Sequence, residues 1–122
     1  MGSAYLEEGR RCLAECDWAG AINALSWARE LEPADVGTYL LLIETYERAA
    51  AAEKEPDLLQ QGFNVCRDLR DRRLPMSVEQ QETFYRAFLR VRDAVIAARR
   101  NGWTPPPPKE QVHTLFDKPR AT

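Results

Sequence analysis

The chain has 122 residues, of which 44% are hydrophobic and 30% charged, and its formal net charge is −2. This length corresponds to one domain with a core of ordinary size. No apolar run approaches the roughly 18 residues of a membrane-spanning helix, and the opening sequence MGSAYLEEGRR lacks the apolar stretch of a secretory signal. We therefore expect a cytoplasmic protein that has no membrane partner.

Charge is distributed unevenly along the chain. Residues 1–61 carry 5 basic and 12 acidic side chains, whereas residues 62–122 carry 12 basic and 7 acidic side chains. Such polarity favours association with a charged partner or head-to-tail contacts between copies. Solvated helix faces that differ in sign by chance are the simpler explanation.

The first predicted helix runs from about Ser3 to Cys16, because apolar and small residues recur there at steps of three and four. They are Leu6, Gly9, Cys12, Leu13 and Cys16. Asp17 is the predicted N-cap of a second helix. Pro33 ends that helix, because proline lacks an N–H and restricts the residue before it. The apolar stripe of the second helix comprises Trp18, Ala21, Ile22, Leu25, Ala28 and Leu31.

Two further helices show the same arrangement of cap and stop. Asp35 is the predicted N-cap of a third helix over about Val36–Glu53, and Asp57 is that of a fourth over about Leu58–Arg72. Pro75 stops the fourth helix, as Pro33 stops the second.

A long fifth helix closes the helical region. Ser77 and Gln80 form a capping box at its start, and the pattern continues to about Arg100, where Asn101-Gly102 provides a glycine C-cap. Its inward stripe is predicted to be Phe84, Phe88, Val91, Val95 and Ala98.

The first two helices carry six landmark residues at fixed spacings: Tyr5, Gly9, Cys12, Ala21, Leu25 and Pro33. Their order and spacing resemble the tetratricopeptide repeat, a helix–turn–helix unit of about 34 residues with the pattern W-x2-L-G-x2-Y, then A-x3-F, then P. Glu8 stands where this pattern has leucine and is a clear departure.

One repeat length later, Tyr39, Leu42 and Tyr46 again suit the pattern, although Ile43 occupies the place of the small residue. The resemblance implies an all-α fold in which tetratricopeptide-like helical hairpins form an α-α superhelix with a long C-terminal closing helix.

These predictions divide the chain into a helical domain of residues 1–102 and a proline-rich tail of residues 103–122. The four consecutive prolines of the tail favour an extended polyproline II segment. Because a solvated tail has no need of large apolar residues, we expect the tail to dock on its own groove, a neighbouring copy or another protein. The predicted docking residues are Val112, Leu115 and Phe116.

The three cysteines are predicted to be buried free thiols. Their odd number argues against a disulfide framework. Cys12 and Cys16 share one helix face, but a zinc site would need two further ligands and His113 is the sole histidine of the sequence. We therefore expect neither a metal nor a cofactor.

The sequence offers little for catalysis or nucleic-acid binding. His113 lies in the proline-flanked tail, where it cannot easily join a Ser–His–Asp or Cys–His arrangement built elsewhere, and no Gly-rich phosphate loop or H-E-x-x-H motif occurs. Arginines are frequent between residues 67 and 100, but acidic residues are interspersed and the aromatic residues fall on the apolar stripes instead. We expect a non-enzyme that does not bind nucleic acid.

The resemblance implies that the first helix of each pair lines an inner groove that holds a partner peptide. The candidate partner-binding residues are Leu6, Arg10, Leu13, Leu40, Glu44, Glu47, Arg48, Tyr85, Leu89 and Arg92. The clamp for peptide carboxylates that this family is known for uses Lys and Asn side chains. Here Leu6 stands at the Lys position and Arg10 at the Asn position, which disfavours such a clamp.

The favoured function is a non-catalytic adaptor or scaffold that binds a peptide or protein segment in its groove. A helical regulatory module of a transcription regulator and a dedicated chaperone for a secretion or assembly partner are the alternatives. A stack of two pairs and one closing helix is short, which favours homo-oligomerisation through the tail or the charge-polar ends.

Overall fold

The computed structural model describes residues 2–105 of the chain. Over this range the fold is all-α, with five helices and no β-strand. None of the described helices combines the length and the apolarity that crossing a membrane requires. The helices are α1 (Gly2–Ala14), α2 (Trp18–Leu31), α3 (Val36–Glu53), α4 (Pro56–Arg72) and α5 (Val78–Arg100).

Side-chain caps fix the start of three helices, as predicted. Asp17 accepts a hydrogen bond from the Gly20 amide at 3.1 Å, and Asp35 accepts one from the Gly37 amide at the same distance. At α5 both halves of the capping box are present, since the Ser77 and Gln80 side chains each accept from the other residue's backbone amide.

The predicted cap of α4 is wrong. Glu55, not Asp57, is the N-cap residue, and the helix begins two residues earlier than predicted, at Pro56. Proline is favoured at the first helical position, because its φ is already helical and its missing N–H has no intrahelical partner to lose. Asp57 therefore lies in the first turn, where its carboxylate accepts a hydrogen bond from Trp103.

Each helix packs against the next along the chain, and α5 also contacts α3. The main core is built from α2 to α5, and its largest fully buried side chains are Leu25, Tyr39, Leu42, Ile43, Leu69 and Val91. Three aromatic rings join α4 to α5, because Phe88 lies 5.5 Å from Phe63 and 5.8 Å from Phe84, centroid to centroid. A smaller cluster of Cys12, Leu13 and Ala21 fills the contact between α1 and α2.

Two glycines allow helices to approach closely. A Cβ atom added to Gly9 of α1 would lie 2.6 Å from the Cγ and Cδ2 atoms of Leu25 in α2. A Cβ atom added to Gly62 of α4 would lie 3.0 Å from the Cβ of Tyr46 in α3. Both positions therefore exclude larger side chains unless a neighbour moves.

The prediction that all three cysteines are buried is wrong for Cys16. Cys12 and Cys66 are buried, but α1 ends at Ala14 and Cys16 follows in a left-handed turn with φ of 58°. The exit from the helix removes Cys16 from the buried stripe. Leu31, in the last turn of α2, is likewise more exposed than its place on the predicted stripe suggests.

Thiol labelling checks this assignment. We expect Cys16 to react with a maleimide in the native protein, and Cys12 and Cys66 to react only after denaturation. Burial raises the pKa of the Cys66 thiol to about 12 and also raises the pKa of Cys12, which suppresses the reactive thiolate. Mass spectrometry of the native, labelled protein should show one modification, and a second one of similar rate would contradict the burial of Cys12 or Cys66.

The packed part of the chain extends beyond α5. Gly102 has a φ of 96°, a conformation that glycine adopts without strain, and the chain turns there after the helix. Trp103, the first residue assigned to the tail, then packs against the main core. The predicted docking residues Val112, Leu115 and Phe116 lie outside the described residues.

Candidate functional site

A hollow of about 290 Å³ lies between α1, α3 and α5, and we call it the α1–α3–α5 hollow. These helices are the first members of the two predicted pairs and the closing helix. Its lining residues are Arg10 of α1, then Gly37, Leu40, Leu41, Glu44 and Glu47 of α3, and finally Thr83, Ala87 and Arg90 of α5.

An ion pair closes one side of the hollow. Arg90 of α5 donates two hydrogen bonds to the Glu47 carboxylate of α3, at 3.0 Å from Nε and 3.1 Å from an Nη atom. The bond to Glu47 raises the pKa of the Arg90 guanidinium. Glu47 is partly shielded from solvent, and a two-bond pair of this geometry constrains both side chains. The pair therefore fixes the position of α5 against α3.

The remaining surface of the hollow combines one cation, one anion and an apolar floor. Arg10 is exposed and forms no ion pair within the described part of the chain. Glu44 lies 3.5 Å from Arg48, an exposed pair on the same helix that contributes little and is easily rearranged. Leu40 and Leu41 also line the hollow and are partly buried. The hollow can therefore accept a ligand that carries both apolar and charged groups.

The structure brings four of the ten candidate residues together in this hollow, namely Arg10, Leu40, Glu44 and Glu47. Two others lie in the interior, because Leu6 packs against the main core and Leu13 belongs to the smaller cluster. Arg48 of α3 is not among the lining residues, and its guanidinium carbon lies 5.3 Å from the centre of the Trp18 ring.

The three candidates on α5 lie elsewhere. Tyr85 lines a second hollow, Leu89 is exposed, and Arg92 forms a 3.1 Å ion pair with the neighbouring Asp93. The α5 residues that do line the α1–α3–α5 hollow were not among the candidates: Thr83, Ala87 and Arg90. These three residues lie on the side of the predicted inward stripe that is opposite to the three candidates on α5. Helical periodicity places them beside the stripe, and this is the sequence feature that could have indicated them.

The second hollow, of about 420 Å³, lies at the turn between α4 and α5. Its lining includes apolar residues from the turn and from both helices, together with Arg70 and Arg73. Arg70 is also held over the Phe88 ring, 5.8 Å from its centre. Because only two consecutive helices and their turn form it, this hollow does not join separate parts of the fold.

The described residues contain no group of three or more His, Cys, Asp or Glu side chains placed to hold a metal ion. Comparison with known proteins adds no relative: no family model, no curated protein and no solved structure matches the chain.

Proposed function

We propose that this chain is a tetratricopeptide-like adaptor that binds an extended peptide segment in the α1–α3–α5 hollow. One observation carries the proposal: three helices that are distant in sequence contribute to a single hollow. They are the helices on which the resemblance places the inner groove. The Glu47–Arg90 pair holds two of them in place, so the surface is formed before a ligand arrives.

The packing at the landmark positions supports the tetratricopeptide-like class. Leu25 fills the space that the missing side chain of Gly9 leaves, and Ala21 has no exposed surface between α1 and α2. In the second pair Tyr39 and Leu42 are fully buried. These are the places where the repeat pattern requires a small residue or a large apolar one.

The chemistry of the lining defines the kind of segment that fits. An acidic side chain or a terminal carboxylate would pair with Arg10, and a basic side chain would pair with Glu44. An apolar side chain between them would contact Leu40 and Leu41. The expected ligand is therefore a short segment that has charges of both signs flanking an apolar residue.

Selection from a displayed library of random peptides, with the full chain as bait, tests this function. We expect enriched peptides to bind the wild-type protein and to bind Arg10→Glu and Glu44→Arg roughly tenfold more weakly. A tenfold loss is about the effect of replacing one exposed, well-placed charge contact by a repulsion. Arg10 and Glu44 are exposed, so neither substitution should unfold the protein. Arg99→Glu, an exposed charge reversal outside the hollow, is the matched control.

Two results would contradict the function. The first is a selection that yields no peptide that binds in solution. The second is equal affinity of the enriched peptides for Arg10→Glu, Glu44→Arg and the control. The second result would place peptide binding on another surface of the chain.

A further inference from the structure

The outer face of α5 carries an apolar stripe that no described part of the chain covers. Four of the five large apolar residues that are exposed in the described chain lie on this one helix. At about 100° per residue, all four fall within about 20° of one line along the helix. They are Val78, Tyr85, Leu89 and Ile96, with exposed fractions of 81%, 66%, 46% and 41%.

The stripe is distinct from the other two faces of α5. One face is buried in the main core through Phe84, Val91 and Val95, and another borders the α1–α3–α5 hollow through Ala87 and Arg90. The exposed stripe is a third face. An apolar line on a helix that already has a buried face indicates a contact with a further helix.

The stripe is symmetric about the level of Ala87. Tyr85 and Leu89 lie two residues before and after that level, and Val78 and Ile96 lie nine residues before and after it. If a second α5 runs antiparallel and is centred at the same level, Val78 faces Ile96 of the second copy, and Tyr85 faces its Leu89. A pairing that repeats itself in this way is what a two-fold interface requires.

The charges beside the stripe have the same symmetry and select the direction of the second helix. Glu82 and Arg92 lie five residues before and after the level of Ala87 and flank the stripe on opposite sides. An antiparallel copy places Glu82 of each chain in one layer with Arg92 of the other. A parallel copy would set Glu82 against Glu82 and Arg92 against Arg92, which repel.

We propose that a second copy of this chain covers the stripe, with the two α5 helices antiparallel and centred at Ala87. Within one chain, Glu82 bonds Arg86 and Arg92 bonds Asp93, but these exposed pairs contribute little and can exchange partners. One helix per copy gives a small interface, so the dimer dissociates readily on dilution.

Sedimentation equilibrium of the full chain tests the contact. The average mass is expected to rise with concentration from 14.0 kDa towards twice that value. Leu89→Lys should weaken association on the order of a hundredfold, because the substitution occurs twice in each dimer and removes an apolar contact each time. Ala97→Lys, on the same helix but off the stripe and also exposed, should leave association unchanged. Circular dichroism confirms that both variants are folded.

A charge exchange tests the antiparallel register. Glu82→Arg and Arg92→Glu should each weaken self-association roughly tenfold, because each places like charges in both layers. An equimolar mixture of the two variants should regain association, since each layer of the mixed dimer then contains one Glu and one Arg.

A chain that stays at 14.0 kDa throughout the concentration series overturns the proposal. So does equal association of Leu89→Lys and the Ala97→Lys control. A mixture that associates no better than its separate components would likewise refute the antiparallel pairing.

Discussion

Truncation of Leu25 to alanine is expected to lower the free energy of unfolding by about 2–5 kcal/mol. It should also change the effect of Gly9→Ala on stability from destabilising to stabilising. Leu25 is fully buried in the main core. A Cβ atom added to residue 9 would lie only 2.6 Å from the Cγ and Cδ2 atoms of Leu25. Such a distance forces a side chain or a backbone to move.

In the wild-type background, Gly9→Ala combines two opposing effects. Alanine raises helix propensity by about 1 kcal/mol, whereas overpacking typically costs about 1–3 kcal/mol. Because Leu25 is fully buried, it has no free space into which it could move away from the clash. The cost of overpacking should therefore exceed the gain in helix propensity. We expect a net loss of up to about 2 kcal/mol.

In the Leu25→Ala background the clash is absent, and Gly9→Ala should stabilise the protein by up to about 1 kcal/mol through helix propensity. Urea unfolding of the four proteins of this cycle gives the coupling energy directly. If Gly9→Ala has the same effect in both backgrounds, the two residues are not in contact and the close approach of α1 to α2 is refuted.

The helices themselves could be predicted from local signals, because caps and periodicity act within one turn. Asp17, Asp35 and the Ser77 capping box mark helix starts that the structure confirms. The start of α4 was missed because Pro56 and Asp57 both favour a first turn, and the sequence does not show that Asp57 bonds Trp103 instead of capping. The exposure of Cys16 was missed because the periodic pattern continues past Ala14, where the helix ends.

The hollow could be predicted in part. The resemblance to the repeat pattern predicts that Arg10, Leu40, Glu44 and Glu47 face one groove, and these residues do line one hollow. On α5 the inward stripe has two flanks that periodicity does not distinguish. The contact that decides between them, Glu47 with Arg90, joins residues 43 positions apart and is invisible to local patterns.

Replacing Trp103 with alanine is expected to lower the free energy of unfolding by about 2–4 kcal/mol, somewhat less than for a fully buried tryptophan. The ring packs against the main core, and its Nε1–H donates a 2.6 Å hydrogen bond to the Asp57 carboxylate. These residues are 46 positions apart, so the bond connects the end of α5 to the start of α4.

Trp103→Phe separates packing from hydrogen bonding. Phenylalanine retains most of the apolar contact but has no donor, and a hydrogen bond to a partly exposed carboxylate contributes about 1–1.5 kcal/mol. Asp57→Asn keeps an acceptor oxygen and should lose less than Trp103→Phe. The expected order of stability is therefore wild type, Asp57→Asn, Trp103→Phe and Trp103→Ala.

Hydrogen exchange locates the effect. Without the indole, the first turn of α4 and the last turn of α5 should exchange faster, whereas α1 and α2, which contribute neither partner of the Trp103–Asp57 hydrogen bond, should be protected as in the wild type up to the limit that global unfolding sets. Unchanged stability of Trp103→Ala would mean that residue 103 contributes nothing to the stability of the helical domain and belongs to the tail. A loss near the expected size would instead place the end of the folded unit beyond α5, at Trp103, because the ring would then hold the two helix ends together.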